Sequence, residues 1–435
     1  MKTWLTAAAF ACSVVTSTMA CKKENPPSGT KPTSSAGAAT SGTPNFGVTE
    51  DEVLLGQAAA FTGPLAPRVI DAWRGETAAF SDANDAGGVH GRKVKLVLAD
   101  DAYETEKARA AVVKLVEGEH VFALFGGLGT SMLAQTLPVL AAYHAENGLF
   151  GFSYLSGSVV LSQKPGFDVY FTTKSTNDKE AAAEVDYFVA ARKKRFGAFF
   201  RSPSFAFPTY ERVLKAKGLE FVLVRSFPAS QTWEASTAAD VEAFRKAGVD
   251  AIIASGPNQP CAALVRDIRK TGWKIPVTMF SFSDPDQTLR LLSEEQEKLT
   301  EDLLTNVIVT TTVPPYTDEN LPIVKEYRRA IDKYKPTSPS GMGHAGFKPS
   351  SPYSFDSLEG YINARMFLRV LEKNGRELTR KTFYEAAESM GKFDIGLGVH
   401  TEFSKARHQA MEEVWLYYLT REGWKPVVAG SAALK

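Results

Sequence analysis

The sequence predicts a doubly wound α/β protein built as two lobes. Short, continuously apolar runs alternate with amphipathic helical segments, the pattern of buried parallel strands linked by helices. Turn signals rich in Gly, Pro, Ser and Asn separate them. The chain has 435 residues, 44% of them hydrophobic, enough for two cores of ordinary size.

The first half opens with an apolar run over 53–61, closed by Thr62-Gly63-Pro64. Ile70, Trp73, Thr77, Phe80 and Asn84 then recur at helical spacing, and Ala86-Gly87-Gly88 ends that helix. A strand follows over 94–99. Ala108, Ala111, Val112, Leu115 and Val116 form one helical face. Strands over 122–125 and 149–153 flank a helix over 132–144, which Pro138 is expected to bend. The second half repeats the alternation. Helices are expected over 183–192, 210–217, 240–247 and 262–271, and strands over 196–200, 220–224, 251–254 and 277–281. The polar stretch Thr172 to Lys179 divides the halves.

The N-terminus reads as an export signal. Lys2 supplies a positive charge, and an apolar stretch over 4–15 is too short to span a bilayer. Thr18-Met19-Ala20-Cys21 presents small residues before a cysteine, with Thr18 in place of the Leu usual in a lipobox. Cleavage after Ala20 with Cys21 free competes with lipid addition to its sulfur. The following Pro-, Ser-, Gly-, Thr- and Ala-rich segment favours the lipid, because it reads as a flexible leash for a tethered domain. Of three cysteines, only Cys12, Cys21 and Cys261, the last is left without a partner in the mature chain, so no internal disulfide is expected.

Lys and Arg number 50 against 49 Asp and Glu, which gives no basic footprint for nucleic acid. The six histidines show no metal spacing and there is no CxxC. Gly151-Phe152-Ser153-Tyr154 begins like a nucleophile elbow, but Leu155 stands where glycine is needed. Gly127-Leu128-Gly129 lacks the third glycine of a dinucleotide loop, Met132 standing there. Asp100 and Asp101 are paired carboxylates at a strand end, and Asp101 with Thr105 is read as starting the next helix in preference to acid–base work. No enzyme, cofactor or metal is expected.

The strand-to-helix junctions carry the functional signal, since helix N-termini attract anions and open sheets bind ligands beyond their strand ends. Gly126 to Ser131 combines glycines with two hydroxyls, and Thr130 serves there as an N-cap, an anion contact or both. Phe152 to Ser158, Arg201 to Pro208 with Phe205 and Phe207, Ser255 to Pro260 and Ser281 to Asp284 complete the set.

Several of these segments resemble the branched-chain amino-acid (Leu/Ile/Val-binding) type of periplasmic substrate-binding protein of ABC transporters. The resemblance runs from about Thr49 to Pro426. It is carried by Leu54-Leu55-Gly56-Gln57 through Ala66, by Asn84-Asp85-Ala86-Gly87-Gly88-Val89-His90-Gly91-Arg92, by Asp100-Asp101 and by Phe122 to Gly126. Val313-Pro314-Pro315-Tyr316, Leu321 to Tyr327 and Leu358 to Arg365 extend it. It implies a type I periplasmic binding fold, the Venus-flytrap arrangement in which two lobes close on a hinge. A signal peptide over 1–20 and a leash over 21–45 would precede a first lobe of 46–172 with 311–399. The second lobe would take 173–310 with 400–428.

By position, the resemblance gives Thr130, with Gly129 and Ser131, the ligand's carboxylate; Leu155 and Gly157 follow as contacts, Phe205 as an aromatic cover, and Pro257 and Asn258 as another contact turn. Tyr154, Phe207, Phe282 and Trp73 are expected to give an apolar lining. Amino-acid binders of the family place an acid near Ser281 to Ser283; here the stretch reads Ser281-Phe282-Ser283, with Asp284 beyond. Either Asp284 turns inward or the ligand lacks an amino group, since a buried unpaired ammonium is costly. The implied protein is a monomer, lipid-anchored at Cys21 in the periplasm or on the surface of a bacterial cell. It would capture a small organic ligand, an amino acid or an apolar or aromatic carboxylate or amide, and pass it to an ABC permease. A sensor for a signalling partner and an exported hydrolase using Ser153 are the alternatives.

Overall fold

The computed structural model describes residues 46–204, 206–228, 230–296, 302–342, 349 and 351–427. The signal, the Cys21 anchor and the leash lie outside these residues.

The first sheet is built by β1 (Glu52–Ala59), β2 (Lys93–Asp100), β3 (Ala123–Phe125), β4 (Gly151–Phe152) and β5 (Tyr170–Phe171), in the order β2-β1-β3-β4-β5. All its pairings are parallel. Between the strands run α1 (Ala66–Asp85), α2 (Thr105–Val113), α3 (Thr130–Asn147) and the short α4 (Gly166–Val169). Helix α3 continues through Pro138. Helix α2 ends in a π turn at Lys114–Gly118, which brings Leu115 and Val116 into the core as the spacing predicts.

The chain then enters a second sheet. Helix α5 (Asn177–Ala190) leads to β6 (Phe196–Ser202), α6 (Phe207–Ala216), β7 (Phe221–Pro228), α7 (Ala238–Lys246) and β8 (Ala251–Ser255). Helix α8 (Asn258–Lys270), β9 (Val277–Met279), α9 (Pro285–Gln296) and β10 (Val307–Thr311) follow. Three helices return to the first lobe: α10 (Pro322–Tyr334), α11 (Phe355–Asn374) and α12 (Arg380–Glu388). A hairpin of β11 (Gly391–Phe393) and β12 (Thr401–Phe403) precedes β13 (Trp415–Thr420) and β14 (Gly423–Pro426). The second sheet has the order β14-β13-β10-β9-β8-β6-β7. Its last two strands, β13 and β14, add antiparallel at the edge beside β10.

Segment 400–411, expected in the second lobe, packs with the first. Phe403 stacks among Phe152, Phe171 and Phe393, and the Ala410 amide donates to the Thr172 carbonyl at 2.8 Å. The final crossing therefore falls at 412–414, next to β13. Apolar alternation could not place it, because β12 is only three residues long.

Each sheet is covered on both faces. In the first lobe one face packs on α1, α10, α11 and α12 through an aromatic core, and the other on α2 and α3. In the second lobe α7, α8 and α9 cover one face and α5 and α6 the other. The parallel strands in both sheets run 2-1-3-4-5 in their own order. Each sheet therefore has a switch point, β1/β3 and β6/β8, where diverging loops leave a crevice beyond the strand ends.

Candidate functional site

The two crevices face one another across a cleft of about 800 Å³. The first lobe contributes Tyr103 beyond β2, Leu128 to Ser131 beyond β3, and Leu155 to Gly157 beyond β4. Opposite stand Arg201 at the end of β6 with Pro203 and Ser204 beyond it, Ser255 at the end of β8 with Gly256 beyond it, and Phe280 to Phe282 beyond β9. Arg68 of α1, Lys174 and Asn177 at the first crossing, and Glu359 of α11 close the sides.

Six of the residues singled out from sequence meet here: Gly129, Thr130, Ser131, Leu155, Gly157 and Phe282. Gly129, not Thr130, is the N-cap of α3, and no side chain caps that helix. Its φ of +90° suits glycine, and an added Cβ would fall 2.5 Å from the Tyr103 ring. Thr130 Oγ1 instead pairs with Ser156 Oγ at 2.9 Å. The first-turn amides of α3 thus keep their free N–H groups at the cleft, the arrangement that receives an anion.

The other expected residues lie elsewhere. Tyr154 sits behind the β3 loop, its ring edge-on to Tyr170 and its hydroxyl donating to Leu128 O at 3.3 Å. Phe207 opens α6 with its ring turned back onto Phe200 and Phe221. Pro257 caps α8, and Asn258 Nδ2 ties α8 to α9 by donating to Asp284 O and Thr288 Oγ1. Asp284 is buried and accepts from the Gln287 amide at 2.8 Å, so it starts α9 and does not line the cleft. Burial, with Asp286 and Asp356 nearby, pushes its carboxyl well above the usual range. Trp73 lines a separate groove beside β2. Phe205 lies outside the described residues.

The charges at the cleft are mostly spoken for. Lys174 Nζ lies 3.2 Å from Glu359 and 2.7 Å from Thr312 Oγ1. Arg68 is held by Asp356. Arg201 differs: it has no carboxylate partner among the described residues, and its Nε is buried without a hydrogen bond. Its guanidinium lies against the Tyr103 hydroxyl, which also meets Ser131. Sequence reading placed the Arg201 turn at the site but looked past Arg201 for aromatics. The signal was there, a lone cation ending the apolar strand FGAFFR.

Behind the second-lobe wall, Glu180 accepts from the Ser281 amide at 3.1 Å, from Ser281 Oγ at 2.9 Å and from Thr310 Oγ1 at 2.9 Å. Glu184, one turn on, accepts from Tyr210 and Thr278. Burial raises both, Glu184 to about 8. Nothing in this arrangement forms a nucleophile with its base. Ser153 does have φ +57°, as an elbow serine would, but it is 1% exposed and its Oγ has no partner. Among the described residues no three His, Cys, Asp or Glu side chains converge as a metal site, and no helix is long and apolar enough to cross a membrane.

Two facing switch-point crevices fed by three chain crossings form a space that can enclose a small solute. The periplasmic binding protein family matches residues 52–423. The chain belongs to that family. A curated relative, an amino acid binding protein of Pseudomonas aeruginosa, is 28% identical over 229 residues, which is 51% of this chain and 58% of the relative. The chain thus aligns with little more than half of that relative's length. A solved structure described as a possible leucine/isoleucine/valine-binding protein of Rhodopirellula baltica superposes with a TM-score of 0.75 at 24% identity, covering 90% of this chain and 99% of that one. A fatty acid ABC transporter substrate-binding protein of Thermomonospora curvata gives a TM-score of 0.71 at 23% identity, covering 88% and 93%. The family match and these superpositions show a two-lobed type I periplasmic binding fold.

Proposed function

We propose that this periplasmic binding protein captures a small carboxylate with an apolar body and no free ammonium, and delivers it to an ABC importer. The observation that carries the reading is Arg201. It is the cleft cation left without an acid, beside the free amides of α3, while Glu359, Asp356 and Asp284 are each engaged by another group. A carboxylate would meet charge-assisted donors there. An ammonium would find no free carboxylate and would be desolvated unpaired. Leu128, Leu155, Phe280 and Phe282 would cover the apolar body. The Rhodopirellula relative's description points to amino acids and the Thermomonospora one to a fatty acid, so both ligand types belong in the test.

In the same reading the chain acts as a monomer outside the cytoplasm, tethered by lipid on Cys21 and free to move on its leash. The test is native mass spectrometry of the protein purified from its membrane fraction. A bound mass matching an organic acid and a lipid increment on the N-terminal peptide are expected. A co-purified amino acid, or binding of amino acids alone in a thermal-shift screen, would overturn the ligand assignment. Deletion of the chain should abolish uptake of the same acid.

A further inference from the structure

One of the contacts that join the two lobes at the cleft is made by Arg68. Its side chain starts on α1 of the first lobe and is 11% exposed. Asp356, at the start of α11 in the same lobe, grips it with Nε at 3.0 Å and Nη2 at 2.5 Å. This two-point grip fixes the plane of the guanidinium. The remaining nitrogen, Nη1, crosses to the second lobe and donates to the Phe282 carbonyl at 3.2 Å. The guanidinium also lies 5.5 Å from the Phe282 ring centroid, within cation–π range. Phe282 itself packs against both the second-lobe core around Phe280 and the first-lobe core around Phe61, Val69 and Leu128.

We infer that Arg68, oriented by Asp356, is a positioning residue that clasps Phe282 and holds the second-lobe wall closed over the ligand. Three features support this. The contact to Phe282 spans the cleft, so it forms only when the lobes are together. The residue contacted is itself a cleft wall. And the guanidinium has two separate attachments, so one lobe retains it when the other departs. An element of this kind biases the open–closed equilibrium through contacts made in only one state. The inference rests on the cleft being the ligand's enclosure, but not on what the ligand is.

The test separates these two points. Nitroxides on Lys107→Cys and Glu211→Cys, exposed positions near the starts of α2 and α6 on opposite rims, report the gap between the lobes by pulsed electron resonance. Without added ligand, Arg68→Gln is expected to shift the distance distribution to longer values. Arg68→Lys, which keeps the charge beside Asp356 but loses the fork, should shift it in the same direction, as should Asp356→Asn. With 4-phenylbutanoate as probe, Arg68→Lys should raise the dissociation rate about 10-fold and leave association within about twofold, because the clasp forms after encounter. Distributions that superimpose on the parent's for both Arg68 variants would overturn the clasp whether or not the probe binds. Failure of the probe with shifted distances would leave the clasp standing and count against the carboxylate reading.

Discussion

Glu76 is fully buried on α1 and meets one donor, Gln57 Nε2, at 2.8 Å; its other oxygen has no partner. Burial pushes its carboxyl up to about 8. The folded value thus lies above the unfolded one, near 4.3. The neutral form stabilises the fold, fully below that unfolded value, and the contribution is lost as pH rises towards 8. The melting temperature is expected to fall between pH 5 and 9, and Glu76→Gln should remove part of that fall, with Glu184 carrying a share of its own; an unchanged slope in the variant would contradict the assignment. Sequence periodicity did not single out this position. It gave α1 one face through Ile70, Trp73 and Thr77, yet Trp73 and Thr77 are only half-buried while Glu76 and Gly75 are buried. The helix lies between the sheet and α11, so nearly its whole circumference is covered and a one-face pattern is the wrong template. Asp284 misled for a related reason: a carboxylate in the loop between a strand and a helix can serve the cleft or start the helix, and here it starts α9.

At the scale of elements, the closest packing is between α1 and α11. A Cβ on Gly75 would fall 1.7 Å from Ser357 O, and one on Gly360 would fall 2.0 Å from Ala72 O. The two backbones touch through reciprocal glycines, so no side chain can relieve an addition. Gly75→Ala or Gly360→Ala should each cost about 2–3 kcal/mol in urea unfolding, near the top of the range for overpacked sites. A loss below about 0.5 kcal/mol would mean that the helices part easily. The strand–helix alternation was legible because buried parallel strands are apolar on both faces, as in β8, where all five residues are buried. The antiparallel β13 and β14 and the three-residue β12 were not, because exposed or very short strands carry no such run. The position of the hydroxyls at the start of α3 beside the cleft was legible, since a glycine loop between a strand and a helix lies beyond the sheet's strand ends. What the sequence could not order was which atom does what: Gly129 caps, and Thr130 turns to Ser156.

At the scale of the molecule, three crossings join the lobes, and two of them are tied together. The Thr172 amide donates to His408 O at 2.7 Å, and Gln409 Nε2 donates to Lys174 O at 3.0 Å. Contacts between the first crossing and the residues leading into the last suit a bending motion that opens and shuts the cleft. In the proposed function the Arg201 guanidinium at the end of β6 selects the solute that the closed form retains. The most direct measurement is titration calorimetry of short- and medium-chain apolar carboxylates, each beside its 2-amino acid and its amine, on the parent and on Arg201→Gln. A carboxylate is expected to bind, its amino acid at least about tenfold more weakly, and Arg201→Gln to weaken the carboxylate by about 10- to 100-fold, the worth of a charge-assisted hydrogen bond. Tighter binding of an amino acid than of its deaminated analogue, with Arg201→Gln indifferent to both, would contradict these expectations.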